Sequence, residues 1–190
     1  MKIGKERQKV ILDVPYYSQH FDVEDSFWKR RACGVVCLKM VMDSYNRYSP
    51  PLSALISGTD ARGGFGPSGW IHDYLVKVAQ DYGFSAFRKE YNSFSEAIED
   101  KVSSLAAGRP VIVSAVKNFS ERDKFHLVVL VGFEAGPEGL IGFYYHDPDS
   151  PDDKEGRAKF VSLEKFRKYW RKMSIFIHPP AFSEARNMLK

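Results

Sequence analysis

The sequence is poor in cysteine, with only Cys33 and Cys37 among its 190 residues. Two cysteines four positions apart on one helix lie a turn apart on the same face, where backbone geometry disfavours a disulfide between them. The sequence therefore lacks the disulfide framework of a small secreted domain and is compatible with a reducing compartment.

Long apolar runs are also missing. No run approaches the roughly 18 residues that a membrane-spanning helix needs. The first nine residues are rich in charge and lack the apolar core of a secretory signal peptide. We therefore expect no membrane span and favour a cytoplasmic protein, with secretion open if a signal peptide has been removed.

Charge of one sign does not dominate either. The chain has 28 basic and 24 acidic residues and a formal net charge of +4, so we expect no nucleic-acid partner. The densest basic stretch, residues 165–172, is interleaved with aromatic residues. A solvated helix face is its ordinary interpretation, and a polyanion site is the alternative.

What is present is enough chain for one domain. At 190 residues and 44% hydrophobic content, the chain can bury a core without disulfides or a structural metal. We divide it into a flexible N-terminus (1–9), a single domain (10–180) and a C-terminal tail (181–190).

Hydrophobic periodicity predicts a helical first half and a strand-rich second half. A Gly-rich stretch over 63–69 lacks the Gly-Lys-Ser/Thr ending of a phosphate-binding loop. We predict that Pro67 and Ser68 begin a helix there, and that Ser95 caps a later one. The predicted helices span 33–45, 50–57, 67–83, 95–106 and 163–170, and the predicted strands span 10–17, 84–91, 110–116, 126–133, 140–146, 159–161 and 173–178. A helix packed against an antiparallel sheet is an α+β arrangement.

Cys33 is the most informative residue because it stands at the start of the first predicted helix. Unpaired N–H groups and the helix dipole favour thiolate over thiol there, and the thiolate is the nucleophile. Gly34, a small neighbour, would leave room for a substrate backbone. The alternative is a buried, inert cysteine, which is how we interpret Cys37.

Three further residues supply the other groups that a cysteine hydrolase needs. His126 opens an apolar strand and would act as the base; the alternative is a core or edge histidine with satisfied ring nitrogens. Asp147 would orient that imidazole, or only open a turn before Pro148. The amide of Gln19 would join the Cys33 N–H in an oxyanion hole, or only be solvated.

A metal site is the other chemistry that these residue types allow. Its ligands would be Cys33 and Cys37 with two of His20, His72, His146 and His178. The spacings match no common zinc pattern, so we expect no metal and no cofactor. His146 should point to the face of its strand opposite Asp147.

Several motifs together resemble the C39-like peptidase family of papain-like cysteine peptidases. The resemblance spans about residues 10–178 and rests on VPYYSQ from Val14, ACG around Cys33, GRPVIV from Gly108, FHLVVLVGF from Phe125, HDP around Asp147, and SLEKF from Ser162 with Trp170. It implies a papain-like fold and a Cys-His-Asp triad with a Gln-assisted oxyanion hole, formed by Cys33, His126, Asp147 and Gln19.

Two departures from the family pattern bear on substrate shape. Phe125 stands where members often have Gly, and Val35 and Val36 stand where Pro and a small residue are common. Neither removes a chemical group. The resemblance implies hydrolysis of a peptide or amide bond through an acyl-enzyme. Acyl transfer with the same triad and a silent peptide-binding module are the alternatives, and the sequence leaves the oligomeric state open.

Overall fold

The fold is built on an antiparallel sheet. The structure, a computed structural model, describes residues 7–46, 49–121, 124–152 and 155–179. Its strands are β1 Gln8–Ile11, β2 Phe65–Gly66, β3 Gly69–Trp70, β4 Ser85–Glu90, β5 Val111–Val116, β6 Phe125–Gly136, β7 Gly139–His146, β8 Lys159–Ser162 and β9 Trp170–His178. Six of them pair in the order β4-β9-β5-β6-β7-β8, and β1 completes this seven-stranded sheet by pairing with the second half of β6.

Four of the five α-helices of the described residues begin within two residues of their predicted positions, and one predicted cap is wrong. They are α1 Cys33–Asp43, α2 Leu52–Asp60, α3 His72–Asp81, α4 Phe94–Ala106 and α5 Leu163–Tyr169. The prediction that Ser95 caps α4 is wrong. Ser93 is the extended residue before the helix, and its hydroxyl accepts the Glu96 N–H at 3.3 Å, which satisfies a free donor of the first turn.

Period-two alternation along the central strands gives the sheet two apolar faces. Leu127, Val129 and Val131 of β6 pack with α1, α2 and α3. Val128 and Leu130 face the other way and pack with α4 and α5. The α+β class is confirmed, and helices cover both faces of the sheet, which explains why β6 is apolar along almost its whole length.

The segment before α3 differs from its prediction. Residues 67–71 do not begin a helix, because Phe65–Gly66 and Gly69–Trp70 pair as an antiparallel hairpin. Gly69 adopts φ 101°, a conformation that glycine takes without steric cost. α3 therefore starts at His72, and the hairpin is free to stand beside the start of α1.

The first strand starts earlier than predicted, and the two predicted terminal segments lie largely outside the described residues. β1 begins at Gln8, two residues before the predicted strand. The predicted tail, 181–190, lies outside the described residues, as do residues 1–6. Within the described ranges, no helix combines the length and apolar character needed to span a membrane.

Candidate active site

Cys33 occupies the first position of α1, as its sequence context predicts. The preceding residue, Ala32, makes no side-chain cap, so the first-turn N–H groups have no side-chain acceptor there. Most of α1 is buried, whereas Cys33 itself is partly exposed. The helix thus places a thiol at its positive end, where the protein interior meets solvent.

His126 connects Cys33 to Asp147. It is the second residue of β6 and only 6% exposed. Its Nε2 lies 2.8 Å from Asp147 Oδ1, which leaves Nδ1 for the hydrogen bond to Cys33. Burial opposes a charge on the ring, but the charge and hydrogen bond of Cys33, with those of Asp147, outweigh it and raise the pKa of His126 to about 10.

Asp147 is fixed by its backbone as well as by its carboxylate. Its N–H donates to Gly156 O at 2.9 Å, and its carbonyl accepts the Tyr16 hydroxyl at 2.9 Å. Oδ1 also accepts the Asp149 N–H at 3.0 Å. Burial raises the pKa of Asp147, but the hydrogen bond and charge of His126 dominate and lower it to about 2. The group facing His126 is therefore a carboxylate.

Gln19 lies beside the Asp147 loop in a buried position. Its backbone N–H donates to Pro148 O at 2.8 Å, and its side-chain Nε2 donates to Asp149 Oδ1 at 2.7 Å. Gln19 Oε1 is buried without a hydrogen-bond partner among the described residues. An amide carries two N–H donors, so one remains after the contact with Asp149.

Asp149 is the site residue that the sequence reasoning missed. Besides Gln19, its carboxylate pairs with His20 Nε2 at 2.6 Å and with Lys117. Its backbone N–H donates to Asp147 Oδ1. The only sequence signal was its position in the Asp147-Pro148-Asp149 run, which reads equally well as a turn.

The other cysteine and histidine near the site have different surroundings. Cys37 is fully buried and its Sγ lies 3.3 Å from Leu127 O. Burial, followed by the neighbouring charges, raises its pKa well above the ordinary value. His146 is held between Val14 O and the Ala158 N–H, at 3.0 Å each. Among the described residues, no group of three or more His, Cys, Asp or Glu side chains is placed to hold a metal ion.

A cleft of about 530 Å³ opens over Cys33 and His126. The β2–β3 hairpin forms one wall, where Trp70 stacks on Trp28 at 5.3 Å between ring centroids. A Cβ on Gly34 would lie 2.8 Å from the Trp70 ring. The expectation that Gly34 leaves room for substrate is therefore wrong, because the indole fills that space and fixes the hairpin against α1.

Replacing Gly34 with alanine should displace Trp70. We expect a loss of about 1–3 kcal/mol in the free energy of unfolding, the usual effect of overpacking, and a change in tryptophan fluorescence. Gly58→Ala is the matched control, because that helical glycine has nothing within 4 Å of its would-be Cβ and should gain about 0.5–1 kcal/mol. Equal effects of the two substitutions on stability would contradict this packing.

The two thiols should differ in reactivity. Iodoacetamide near pH 6 should alkylate Cys33 and leave Cys37 unmodified, because Cys37 is fully buried with a raised pKa. Intact mass should show one adduct per folded chain and a second only in denaturant. A Cys33→Ala protein that takes up label at the wild-type rate would contradict the prediction.

Comparison with known proteins gives a consistent family. The family model described as "Peptidase_C39 like family" matches residues 11–175. A C39-like peptidase from Bacillus anthracis superposes with a TM-score of 0.66 and 20% identity, covering 92% of this chain and 99% of its own. No curated protein matches the chain.

Two transporter-associated peptidases also share the fold. A double glycine motif protease from an AMS/PCAT transporter, solved with its leader peptide, has a TM-score of 0.59 and 20% identity over 90% of this chain and 95% of its own. The peptidase domain of Streptococcus ComA has a TM-score of 0.56 and 20% identity over 80% and 93%. The family match, with an architecture common to these peptidases, shows that the chain belongs to the Peptidase_C39 like family.

Proposed function

We propose that the chain is a cysteine peptidase that cleaves a peptide or amide bond through an acyl-enzyme. Cys33 is the nucleophile, His126 carries the proton, Asp147 orients His126, and Gln19 with the Cys33 N–H stabilises the oxyanion. One observation carries the proposal: a single buried imidazole lies between a partly exposed thiol and a carboxylate 2.8 Å away.

The first half-reaction uses the proton that His126 holds. The Cys33 thiolate attacks the carbonyl carbon, a C–S bond forms, and the π electrons move to oxygen. When the carbonyl re-forms, the C–N bond breaks and the nitrogen takes the proton from His126. The raised pKa of His126 supports this step, because the ring is protonated at neutral pH.

The second half-reaction reverses the proton transfer. His126, now neutral, removes a proton from water as the oxygen attacks the thioester carbon. The C–S bond breaks, the acid product leaves, and the thiolate–imidazolium pair is restored. Asp147 remains ionised throughout, consistent with its lowered pKa, and holds the ring in one orientation.

The oxyanion would be stabilised by the Cys33 N–H and by the side-chain amide of Gln19. Asp149 accepts one N–H of the Gln19 amide, and the second N–H is the donor that we assign to the oxyanion. The Asp149 carboxylate also disfavours the flipped amide, in which Gln19 Oε1 would face it. The leader peptide bound by a structural neighbour supports a peptide substrate, and two free thiols fit a reducing compartment.

Intact-mass analysis with peptide nitrophenyl esters tests the proposal. The wild-type protein should give a burst of nitrophenol and an acyl adduct located on Cys33, followed by slow release of acid. Cys37→Ala, the matched control, should behave like wild type. The proposal fails if Cys33→Ala turns over a confirmed substrate at the wild-type rate, or if the adduct forms elsewhere.

A further inference from the structure

Basic side chains crowd the cleft around Cys33 and His126. Arg30, Arg31, Arg88 and Arg171 line it, and Asp73 is the only acidic residue among the described lining residues. Asp73 pairs with Arg88 at 3.0 Å, so it does not neutralise the others. Within the described chain, no carboxylate pairs with Arg30, Arg31 or Arg171.

Two of these arginines, Arg31 beside Cys33 in the sequence and Arg171 at the β9 bulge, are held on exposed aromatic rings. The Arg171 guanidinium lies 3.3 Å from the ring centroid of Phe125, which is 64% exposed and precedes His126. The Arg31 guanidinium lies 4.1 Å from the ring of Phe27, which is 51% exposed. One Arg31 donor, Nη1, is used by Phe27 O at 2.7 Å, and the other N–H donors of each stacked guanidinium remain in its plane.

The backbone places Arg171 over the cleft at an irregular point of the sheet. The β5–β9 register shifts between Val113 and Ala115, so several residues of β9 lie opposite Ser114. Lys172, in this bulge, has φ 57°, which is uncommon for a residue with a side chain. Bulges of this kind re-aim side chains, and Arg171 here also lines an adjoining groove of about 340 Å³.

Two observations support a concentration of positive charge at the cleft. Of the basic stretch 165–172, α5 carries Lys165, Arg167 and Lys168 away from the cleft, whereas Arg171 lines it. His72, in the same cleft, has its pKa lowered by burial and then by the charges of Arg88 and Arg171.

We propose that the substrate is an acidic peptide whose Asp or Glu side chains contact Arg31 on one side of the scissile bond and Arg171 on the other. Planar guanidiniums bind carboxylates through paired N–H donors, and the two stacks supply such donors without a further ordering cost. The inference rests on the proposed function, because the bound peptide would lie across Cys33.

Binding to the Cys33→Ala protein tests the inference without turnover. The probes are fluorescein-labelled octapeptides that differ only in carrying Glu, Gln or Lys, with an oligothymidylate as a non-peptide polyanion. At about 50 mM salt, where screening is weak, anisotropy should give about tenfold tighter binding of the Glu peptide than of the Gln peptide, equivalent to about 1.4 kcal/mol.

Matched variants assign the binding to the stacked arginines. Arg31→Gln/Arg171→Gln should abolish the preference for Glu, whereas Lys77→Gln/Lys165→Gln, with the same loss of charge on exposed helix faces, should retain it. Phe125→Leu keeps the charge but removes one aromatic platform, and should weaken the preference. Circular dichroism checks that each variant is folded.

The outcomes separate this inference from the proposed function. The inference is overturned if the Glu and Gln peptides bind alike, if neither binds, if the lysine control loses the preference equally, or if oligothymidylate binds more tightly than the Glu peptide. Wild-type cleavage of the Gln peptide as fast as the Glu peptide would keep the peptidase and reject acidic selection. Tight binding of the Glu peptide without its cleavage by the wild-type protein would keep acidic selection and reject the peptidase.

Discussion

Replacement of Asp147 by asparagine should lower kcat/KM by about 10²-fold, the scale on which a positioned acid–base group contributes. The amide is nearly isosteric and can still accept a hydrogen bond from His126, so the geometry should survive. The lost quantity is the negative charge, which acts with the charge of Cys33 and the hydrogen bonds of both residues to keep His126 protonated in a buried position.

The pH profile of this variant is the sharper measurement. The active form needs a proton on His126, whose pKa in the folded protein is about 10, so wild-type activity should fall as the pH rises through that value. Without the Asp147 charge, the alkaline limb should move to lower pH by about one unit or more. Both profiles are to be measured as kcat/KM, which reports the free enzyme.

The contact between His126 and Asp147 should also stabilise the folded protein, by an amount that falls as the pH rises. The pKa of His126 is raised from 6.5 to about 10 on folding. The contribution of His126 to the free energy of unfolding is therefore complete below about pH 6.5 and is lost as the pH rises toward 10. Asp60→Asn, on an exposed helix end, is the control for both measurements. An unchanged alkaline limb in Asp147→Asn would mean that Asp147 does not set the proton affinity of His126.

Regular elements could be predicted from the sequence because their periodicity is strong. α1 shows helical spacing from Cys33, and β6 is apolar along nearly its whole length. These two elements carry Cys33 and His126, so two members of the candidate site could be assigned to the start of a helix and the start of a strand. For Asp147 the sequence leaves orientation of His126 and a simple turn as alternatives, and the family resemblance favours the first, since no local pattern encodes the contact.

The features that could not be predicted depend on contacts between distant segments. The β2–β3 hairpin has strands of two residues, too short for any periodicity, and its Gly-rich turn resembles a loop. The contact of Gly34 with Trp70 joins positions 36 residues apart in the sequence. Asp149 likewise gains its role only when the Gln19 segment lies beside it.

Phe125 and Arg171 illustrate the same limit at the cleft. In the sequence, Phe125 was a departure from a family pattern and Arg171 was one of several cations in a basic stretch. Only the pairing of β9 with β5 brings the guanidinium onto the ring, because residues of β9 bulge out opposite Ser114. A substrate preference that depends on such a contact cannot be predicted from composition or from the spacing of motifs.

Lys101→Met should stabilise the protein, by an amount on the order of 3 kcal/mol near neutral pH. Lys101 lies within α4 with no exposed surface, and its Nζ has Ala97 O at 3.2 Å as its one hydrogen-bond acceptor among the described residues. Burial lowers its pKa from 10.5 to about 7. Methionine fills a similar volume and removes the cost of burying an ammonium group.

Aromatic rings around Lys101 reduce this gain without cancelling it. Its Nζ lies 3.8 Å from the ring centroid of Trp170 and 4.5 Å from that of Tyr91. A desolvated cation–π contact contributes about 2 kcal/mol, which is less than the desolvation implied by the lowered pKa. We therefore expect a net gain from methionine, smaller than burial alone would give.

The gain should depend on pH in a definite direction. Below about pH 7 both folded and unfolded Lys101 are protonated, so the full cost of the buried charge is present. Between about 7 and 10.5 the unfolded chain binds more protons, so wild-type stability rises with pH relative to the variant. Urea unfolding at pH 6 and 9.5 should therefore show a large difference at the lower pH and a small one at the higher.

An exposed lysine provides the comparison. Lys77→Met on α3 should change the free energy of unfolding by less than about 0.5 kcal/mol at either pH. If Lys101→Met instead lowers stability at pH 6, the ammonium held between Trp170 and Tyr91 contributes more than its burial costs. The difference between the two lysine variants thus measures directly whether an aromatic cage can compensate a buried charge in this fold.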